Sequence, residues 1–332
     1  MLRTYLPIAL AVLAIVPTTL WSAFALRYQA PGPAAAKTAA ALLAALFGLA
    51  MLWLALRGRP GWALAAHAAA FCLLLVWWHG IPPSNTRDWA DDVARMTTGR
   101  VEGSVVTLEQ VRNFDWRSGT DYTPRWETRS YDLDRLASVD LFLSYWTIQP
   151  IAHTLVSFGY DDGRQLVFSV EIRKERHEAF SSIGGFFKEF ETSVVAADER
   201  DIVRVRTNAR GEDVYLYRVA MPRAAMRSLF LQYIEEANRL VAQPRFYHTI
   251  TANCTTIVYH MVKRIIPRLP LDYRLILAGY LPGYIYDIGG LDTSHTLDEL
   301  RERGRITERA RAAGDAADFS RQIRRGVPGI PQ

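Results

Sequence analysis

Residues 151–175 read "IAHTLVSFGYDDGRQLVFSVEIRKE", two β-rich runs on either side of Asp161-Asp162-Gly163. That loop composition suits a type I turn closed by a glycine in the left-handed region, the signature of a hairpin with a three-residue loop. The loop length fixes the register. With three loop residues Tyr160 faces Arg164 and, counting outward, His153 faces Glu171. A two-residue loop would pair His153 with Ile172 and turn Glu171 to the opposite face, because side chains alternate along a strand. A carboxylate directly across from a histidine has the reach to hold the imidazole in one tautomer.

Downstream, "NCTTIVYH" at 253–260 opens a helix: Ile257, Val258, Met261, Val262, Ile265 and Ile266 recur at helical spacing until Pro267. Asn253 is a good N-cap residue and places Cys254 at the first helical position. Free amides and the positive end of the helix dipole favour a thiolate there, and the same amides are placed to hold an oxyanion. The other cysteine, Cys72, lies in an apolar stretch, so no disulfide is expected and the Cys254 thiol is either buried filler or a nucleophile.

A thiolate nucleophile needs a base, and the chain has seven histidines. His67 and His79 belong to an apolar segment, and His177 and His295 sit in polar surroundings. His260 lies about 240° round the helix from Cys254 and faces away. His248, within "RFYHTITANC", is close enough in sequence to pack beneath the cysteine, and His153 stands opposite Glu171. Cys254, His153 and Glu171 would form a thiol acyl-transfer site that works through an acyl-thioester in a ping-pong scheme. Asn253, Thr255, Tyr247, His248 and Arg173 complete the candidate set as oxyanion- or substrate-binding groups. Arg173, Arg245 and Arg274 are suited either to meeting phosphate or to holding the fold.

Apolar residues make up 50% of the 332-residue chain and concentrate at its front. Segments at about 5–26, 38–56 and 62–81 each approach the ~20 apolar residues that cross a bilayer core. A cleaved signal peptide is the competing reading of the first segment, but no small-residue cleavage site is obvious and two more hydrophobic runs follow, which favours three spans. Arg3, Arg57 and Arg59 outnumber Arg27 and Lys37 on the other side, which favours a cytoplasmic N-terminus and puts everything beyond the third span outside the cytoplasmic membrane. The chain divides into a membrane region, 1–81, and a working domain, 82–332, long enough to bury one substantial core.

Within that domain "RVEGSVVTLEQVRNFDW" alternates like a strand, as does "SVDLFLSYW". "DIVRVRTNARGEDVYLYRVAM" repeats the hairpin pattern with a longer turn, and "PRAAMRSLFLQYIEEANRLVAQ" has helical periodicity. The order of strands and helices implies an α+β domain. The arginine-rich stretch 299–326 reads as one or two solvated helices with few core residues. Aromatic residues are scarce among its charges, which argues against nucleic acid. No pair of histidines or cysteines has metal-ligand spacing, and "GYLPGYIYDIGG" lacks the context of a dinucleotide or phosphate loop, so no cofactor is expected. Phe186 and Phe187, and Leu275, Ile276, Leu277, Tyr280 and Leu281, are apolar groups that either pack a core or receive an acyl chain.

The hairpin, followed about a hundred residues later by "FYHTITANCTT", resembles the periplasmic domain of the lipoprotein N-acyltransferase (Lnb) family, and "VRNFDWRS" and "YDLDRLASVDLFLSYW" extend the resemblance. It implies a permuted papain-like (NlpC/P60-like) fold, with the histidine ahead of the cysteine. The family's cysteine maps onto Cys254 and its histidine onto His153, with Glu171 either the third catalytic member or a structural partner of Arg173. The implied reaction moves a fatty acyl chain from a membrane phospholipid to the N-terminal amino group of a diacylated lipoprotein. The implied place is the bacterial inner membrane, multi-pass, with the catalytic domain in the periplasm. Two rival expectations stand beside it. A papain-like peptidase or amidase would show a polar groove beside Cys254, and a membrane-tethered binding module would leave His153 out of reach of the sulfur.

Overall fold

The computed structural model describes residues 2–331, with side chains from Tyr5 onward; Arg3, which entered the charge count above, lies outside the described side chains. The chain forms two compact units. One runs to Ser84 and includes Phe180–Phe190; the other holds Asn85–Ala179 and continues from Glu191.

In the first unit α1 (Leu2–Gln29), α2 (Ala34–Leu56) and α3 (Pro60–His79) are each long and apolar enough to cross a membrane. His67, the polar exception in α3, bonds through Nε2 to the Thr18 hydroxyl of α1 at 2.8 Å. Phe187 belongs to this unit, stacked on Phe24 and Tyr28. Lys188 donates to the Trp78 carbonyl at 2.6 Å. Phe187 is thus a packing residue of this unit.

The second unit is α+β. Its strands are β1 (Thr98–Glu102), β2 (Val105–Arg112), β3 (Asp115–Trp116), β4 (Tyr122–Thr123), β5 (Trp126–Asp132), β6 (Leu136–Tyr145), β7 (His153–Tyr160), β8 (Gln165–Arg173), β9 (Glu191–Ala197) and β10 (Asp213–Val219). Among the described residues eight of them make one mixed sheet in the order β1-β2-β9-β8-β7-β6-β10, with β5 also on β2 and β3-β4 apart. "RVEGSVVTLEQ" is therefore a tight hairpin and not one strand: Gly103, at φ +65°, reverses the chain between β1 and β2.

Period-two alternation gives the sheet two covered faces. Val156, Phe158 and Phe168 pack against Phe230 and Tyr233 of α5 (Arg223–Ala242), and against α6 (Cys254–Ile265) through Ile257. Leu155, Val167 and Phe142 face the other way, onto Ile202 and Val203 of α4 (Glu199–Arg204). The second hairpin expected over 201–221 is thus half wrong: only β10 is a strand. Asp198 caps α4 by accepting from the Arg200 amide, and the helix continues as a π-helical turn, Val205–Ala209. Tertiary burial overrides the β-branched composition there. Asp201 is wholly buried and takes a two-pronged bond from Arg112, the Phe114 amide and the Trp116 indole, which is what the "VRNFDW" stretch does.

The arginine-rich C-terminus also differs from expectation. After α7 (Leu281–Asp287) come α8 (Leu297–Gly304), α9 (Thr307–Ala313) and α10 (Phe319–Ile323), and Ile306, Ala310, Phe319 and Ile323 complete the core beside α4. Arg324 is buried between Asp140 and Glu199, donating to them at 2.8 and 2.7 Å. Removing one partner of a buried ion cluster leaves the rest uncompensated, so Arg324→Met is expected to cost about 3–5 kcal/mol in denaturant unfolding. Unfolding indistinguishable from the parent would show the tail to be the solvated appendage that composition suggested.

Candidate active site

The β7–β8 loop sets the site. Gly163 sits at φ +83° and donates to the Tyr160 carbonyl, while the Tyr160 amide donates to Arg164. Leu155 faces Ser169 and Val156 faces Phe168, the register of a three-residue loop. His153 Nε2 accordingly lies 3.1 Å from Glu171 Oε1. Ser169, on the same face, bridges them: its hydroxyl is 2.7 Å from Nε2 and donates to Glu171 at 2.6 Å. With both acceptors at Nε2, that nitrogen carries a proton and Nδ1 is left for Cys254, whose sulfur acts on the imidazole.

Cys254 arrives from the opposite layer, at the start of α6. Asn253 caps the helix, and a capping box with Thr256 fixes the turn. The hydroxyls of Thr154 and Thr255, 3.2 Å apart, tie β7 to α6 beside the thiol. His153, as the first residue of β7, is reached from both layers. One supplies Cys254; the other supplies Arg206 from the π-helical turn, which donates to Glu171 at 3.2 Å and to Glu212 at 3.1 Å.

These contacts set the charges. Burial opposes the Glu171 carboxylate, but His153, Arg206 and Ser169 outweigh it and hold the carboxyl well below its usual range. Burial likewise opposes imidazolium, yet Glu171 and Cys254 raise His153 to about 9. Burial pushes the Cys254 thiol up, whereas His153, the Thr154 amide and Thr255 bring it below its ordinary value. Both partners shift toward a thiolate–imidazolium pair. Alkylation of Cys254 is therefore expected to be fast at pH 7 and to titrate below the ordinary thiol range of about 8.5. A reactivity midpoint at or above that value would contradict the pairing.

The remaining candidates divide. Asn253 accepts from the amides of Thr255 and Thr256 at 2.9 and 2.8 Å, so those two amides are spent on the cap and are not the oxyanion donors that the helix start suggested. The Cys254 amide is left, beside the phenolic oxygen of Tyr247. Burial, with the nearby Cys254 and Glu171, holds Tyr247 well above its usual pKa, so it remains a neutral phenol with a hydrogen to give. His248 does not underlie the thiol: its Nδ1 accepts from the amides of Ile250 and Thr251 and shapes the preceding turn. Arg173 is not at the site either. It is buried on Trp89 and donates to Val93, Ala94 and Asn85, tying down the segment ahead of β1. The arginine that holds Glu171 is Arg206, invisible to a reading that made its segment a strand. Arg245 pairs with Glu236, and Arg274 with Asp272 and Asp287.

Beside the pair lies an apolar cavity of about 220 Å³ between α5, α6, α7 and the β6–β7 strands. Val156, Leu229, Val258, Val262, Leu275 and Leu281 form much of its wall, and so do Thr154 and Thr255, the chain neighbours of His153 and Cys254. Among the described residues no cluster of histidine, cysteine and carboxylates is arranged to hold a metal ion.

Residues 122–279 match the family model described as the Lnb N-terminal periplasmic domain, a span that includes Cys254, His153 and Glu171. No curated protein and no solved structure matches the chain. The domain that carries the thiol–imidazole pair is thus similar, over these residues, to the Lnb N-terminal periplasmic domain.

Proposed function

We infer that this protein is a membrane-anchored thiol acyltransferase, and the apolar cavity whose wall adjoins Cys254 carries that reading. A papain-like peptidase calls for a polar groove at this place, and a binding module gives His153 no reason to act on the sulfur. An apolar chamber next to a thiol held below its ordinary pKa suits a fatty acyl group. A phospholipid as donor and the N-terminal amino group of a diacylated lipoprotein as acceptor are what the resemblance to the Lnb family implies. Three membrane-capable helices keep the domain where both substrates reside, and the reading places it at the bacterial inner membrane, facing the periplasm.

The Cys254 thiolate attacks the ester carbonyl of the phospholipid, forming a C–S bond and an oxyanion that meets the Cys254 amide and the Tyr247 hydroxyl. Collapse breaks the ester C–O bond, and His153 gives its proton to the departing lysophospholipid oxygen. The acceptor amine then loses a proton to His153 and attacks the thioester; the C–N bond forms, the C–S bond breaks and the thiolate returns. Glu171 keeps the imidazole oriented and stabilises its charged form. Tyr247→Phe is expected to slow acylation by about 10²–10³, the cost of losing one oxyanion donor. A single-turnover rate equal to the parent's would remove Tyr247 from this role.

The test is intact mass spectrometry of the full chain after incubation with phospholipid. A fatty acyl adduct on Cys254, released by hydroxylamine and discharged by a lipidated peptide with a free amino terminus, is the expected result. No adduct at all would overturn the acyltransferase reading.

A further inference from the structure

The segment from Ile266 to Leu281 has apolar side chains on two sides. Leu269, Leu275 and Leu281 are buried in the wall of the cavity. Leu271, Tyr273 and Ile276, between them in sequence, are 83%, 64% and 47% exposed. A loop that covers a core in water has polar residues on its outer side, so this one is built for another surrounding. The exposed set is extended by the β6–β7 loop, where Trp146 and Ile148 are also exposed. The two loops are locked together: the Gly279 amide donates to Pro150, Tyr145 donates to the Gly279 carbonyl, and a Cβ at Gly279 would lie 1.7 Å from the Gln149 oxygen. Ile266 and Ile288, both exposed, belong to the cavity wall as well, so the chamber reaches the surface within the same apolar region.

We propose that this double-sided segment, with Trp146 and Ile148, dips into the lipid bilayer and forms the entry through which an acyl chain passes from the membrane into the cavity. Three observations favour lipid over a protein partner. Apolar side chains stand both on the exposed rim and in the chamber wall, and Ile266 and Ile288 belong to both, as a path for a hydrocarbon tail requires. Lys263 and Arg268, both exposed, flank the rim and suit the phosphates at a headgroup layer. Trp146 and Tyr273 have the amphipathic rings that gather at a membrane–water boundary. The role as an entry rests on the acyltransferase reading; the bilayer contact stands without it.

The experiment uses the full chain with Cys72→Ser and Cys254→Ser, reconstituted in phospholipid nanodiscs in which some lipids carry a nitroxide on the acyl chain. An environment-sensitive fluorophore is attached at Leu271→Cys, at Ile276→Cys or, as a control in the exposed hairpin turn, at Asp161→Cys. A side chain seated about 5–10 Å into the headgroup–acyl boundary meets the nitroxide, so emission from 271 and 276 is expected to fall roughly by half while that from 161 is unchanged. Quenching at 271 and 276 no greater than at 161 would overturn the proposal. Shielding of those labels from aqueous iodide without nitroxide quenching would also overturn it, because it would put a protein surface there. No chemistry enters this readout, so its failure would leave the thioester result standing, and a missing thioester would leave the lipid contact standing.

Discussion

Cys254→Ala is expected to abolish acyl transfer, lowering the single-turnover rate by about 10⁴ or more, since removal of a covalent nucleophile leaves only binding and oxyanion stabilisation behind. The substitution is mild for the fold. Cys254 is buried at the helix start, but the cap that fixes that turn belongs to Asn253 and Thr256 and does not involve the sulfur. The parent and the variant should therefore unfold at similar denaturant concentrations while only the parent acquires the adduct. Cys254→Ser sharpens the test, because any acyl group it gained would be an oxygen ester that resists neutral hydroxylamine. A Cys254→Ala protein that still transferred acyl chains would assign the chemistry to another residue and return this cysteine to the role of core filler.

His153→Ala should cost nearly as much, about 10³–10⁴ in acylation rate, and its signature lies in the thiol as well as in the rate. Burial by itself pushes the Cys254 thiol up, and His153 is the first of the groups that bring it down. Without the imidazolium, alkylation of Cys254 should lose its reactivity at pH 7 and titrate above the parent's midpoint. The sign follows from the pair: the active form needs the thiol deprotonated and the imidazole protonated. The parent's rate should rise as the thiol ionises and fall on an alkaline limb near pH 9, where His153 gives up its proton. An unchanged alkylation profile in His153→Ala would separate the histidine from the thiol and remove the base from the mechanism.

Much of this site was legible because its parts are local. A three-residue loop ending in glycine fixes the partner of every residue along the hairpin, so the His153–Glu171 pairing follows from counting. Asn253 ahead of a helical run puts Cys254 at the helix start for the same kind of reason. The arginine beside Glu171 was misassigned. Arg173 has the right strand parity, but its neighbours in space come from a segment some 80 residues earlier, with Val93 accepting its Nε–H. Arg206 has no local mark of its role, because β-branched residues around it suggested a strand and only packing on the second face made that stretch helical.

What the sequence determined by itself was whatever a short span of chain controls: three apolar helices, the hairpin register, the capped helix carrying the thiol, and the α+β class. Only the tertiary structure decided how the layers meet. It brings Cys254 and Arg206 from opposite faces of the sheet to one strand end, spends the helix-start amides on Asn253, buries the arginine-rich tail as a core element and opens an apolar chamber beside the thiol. The physical reason is range. Turn geometry, capping and hydrophobic period act over a few residues and are written in order along the chain. The partner of a buried charge or the wall of a cavity depends on which distant segments the hydrophobic effect drives together.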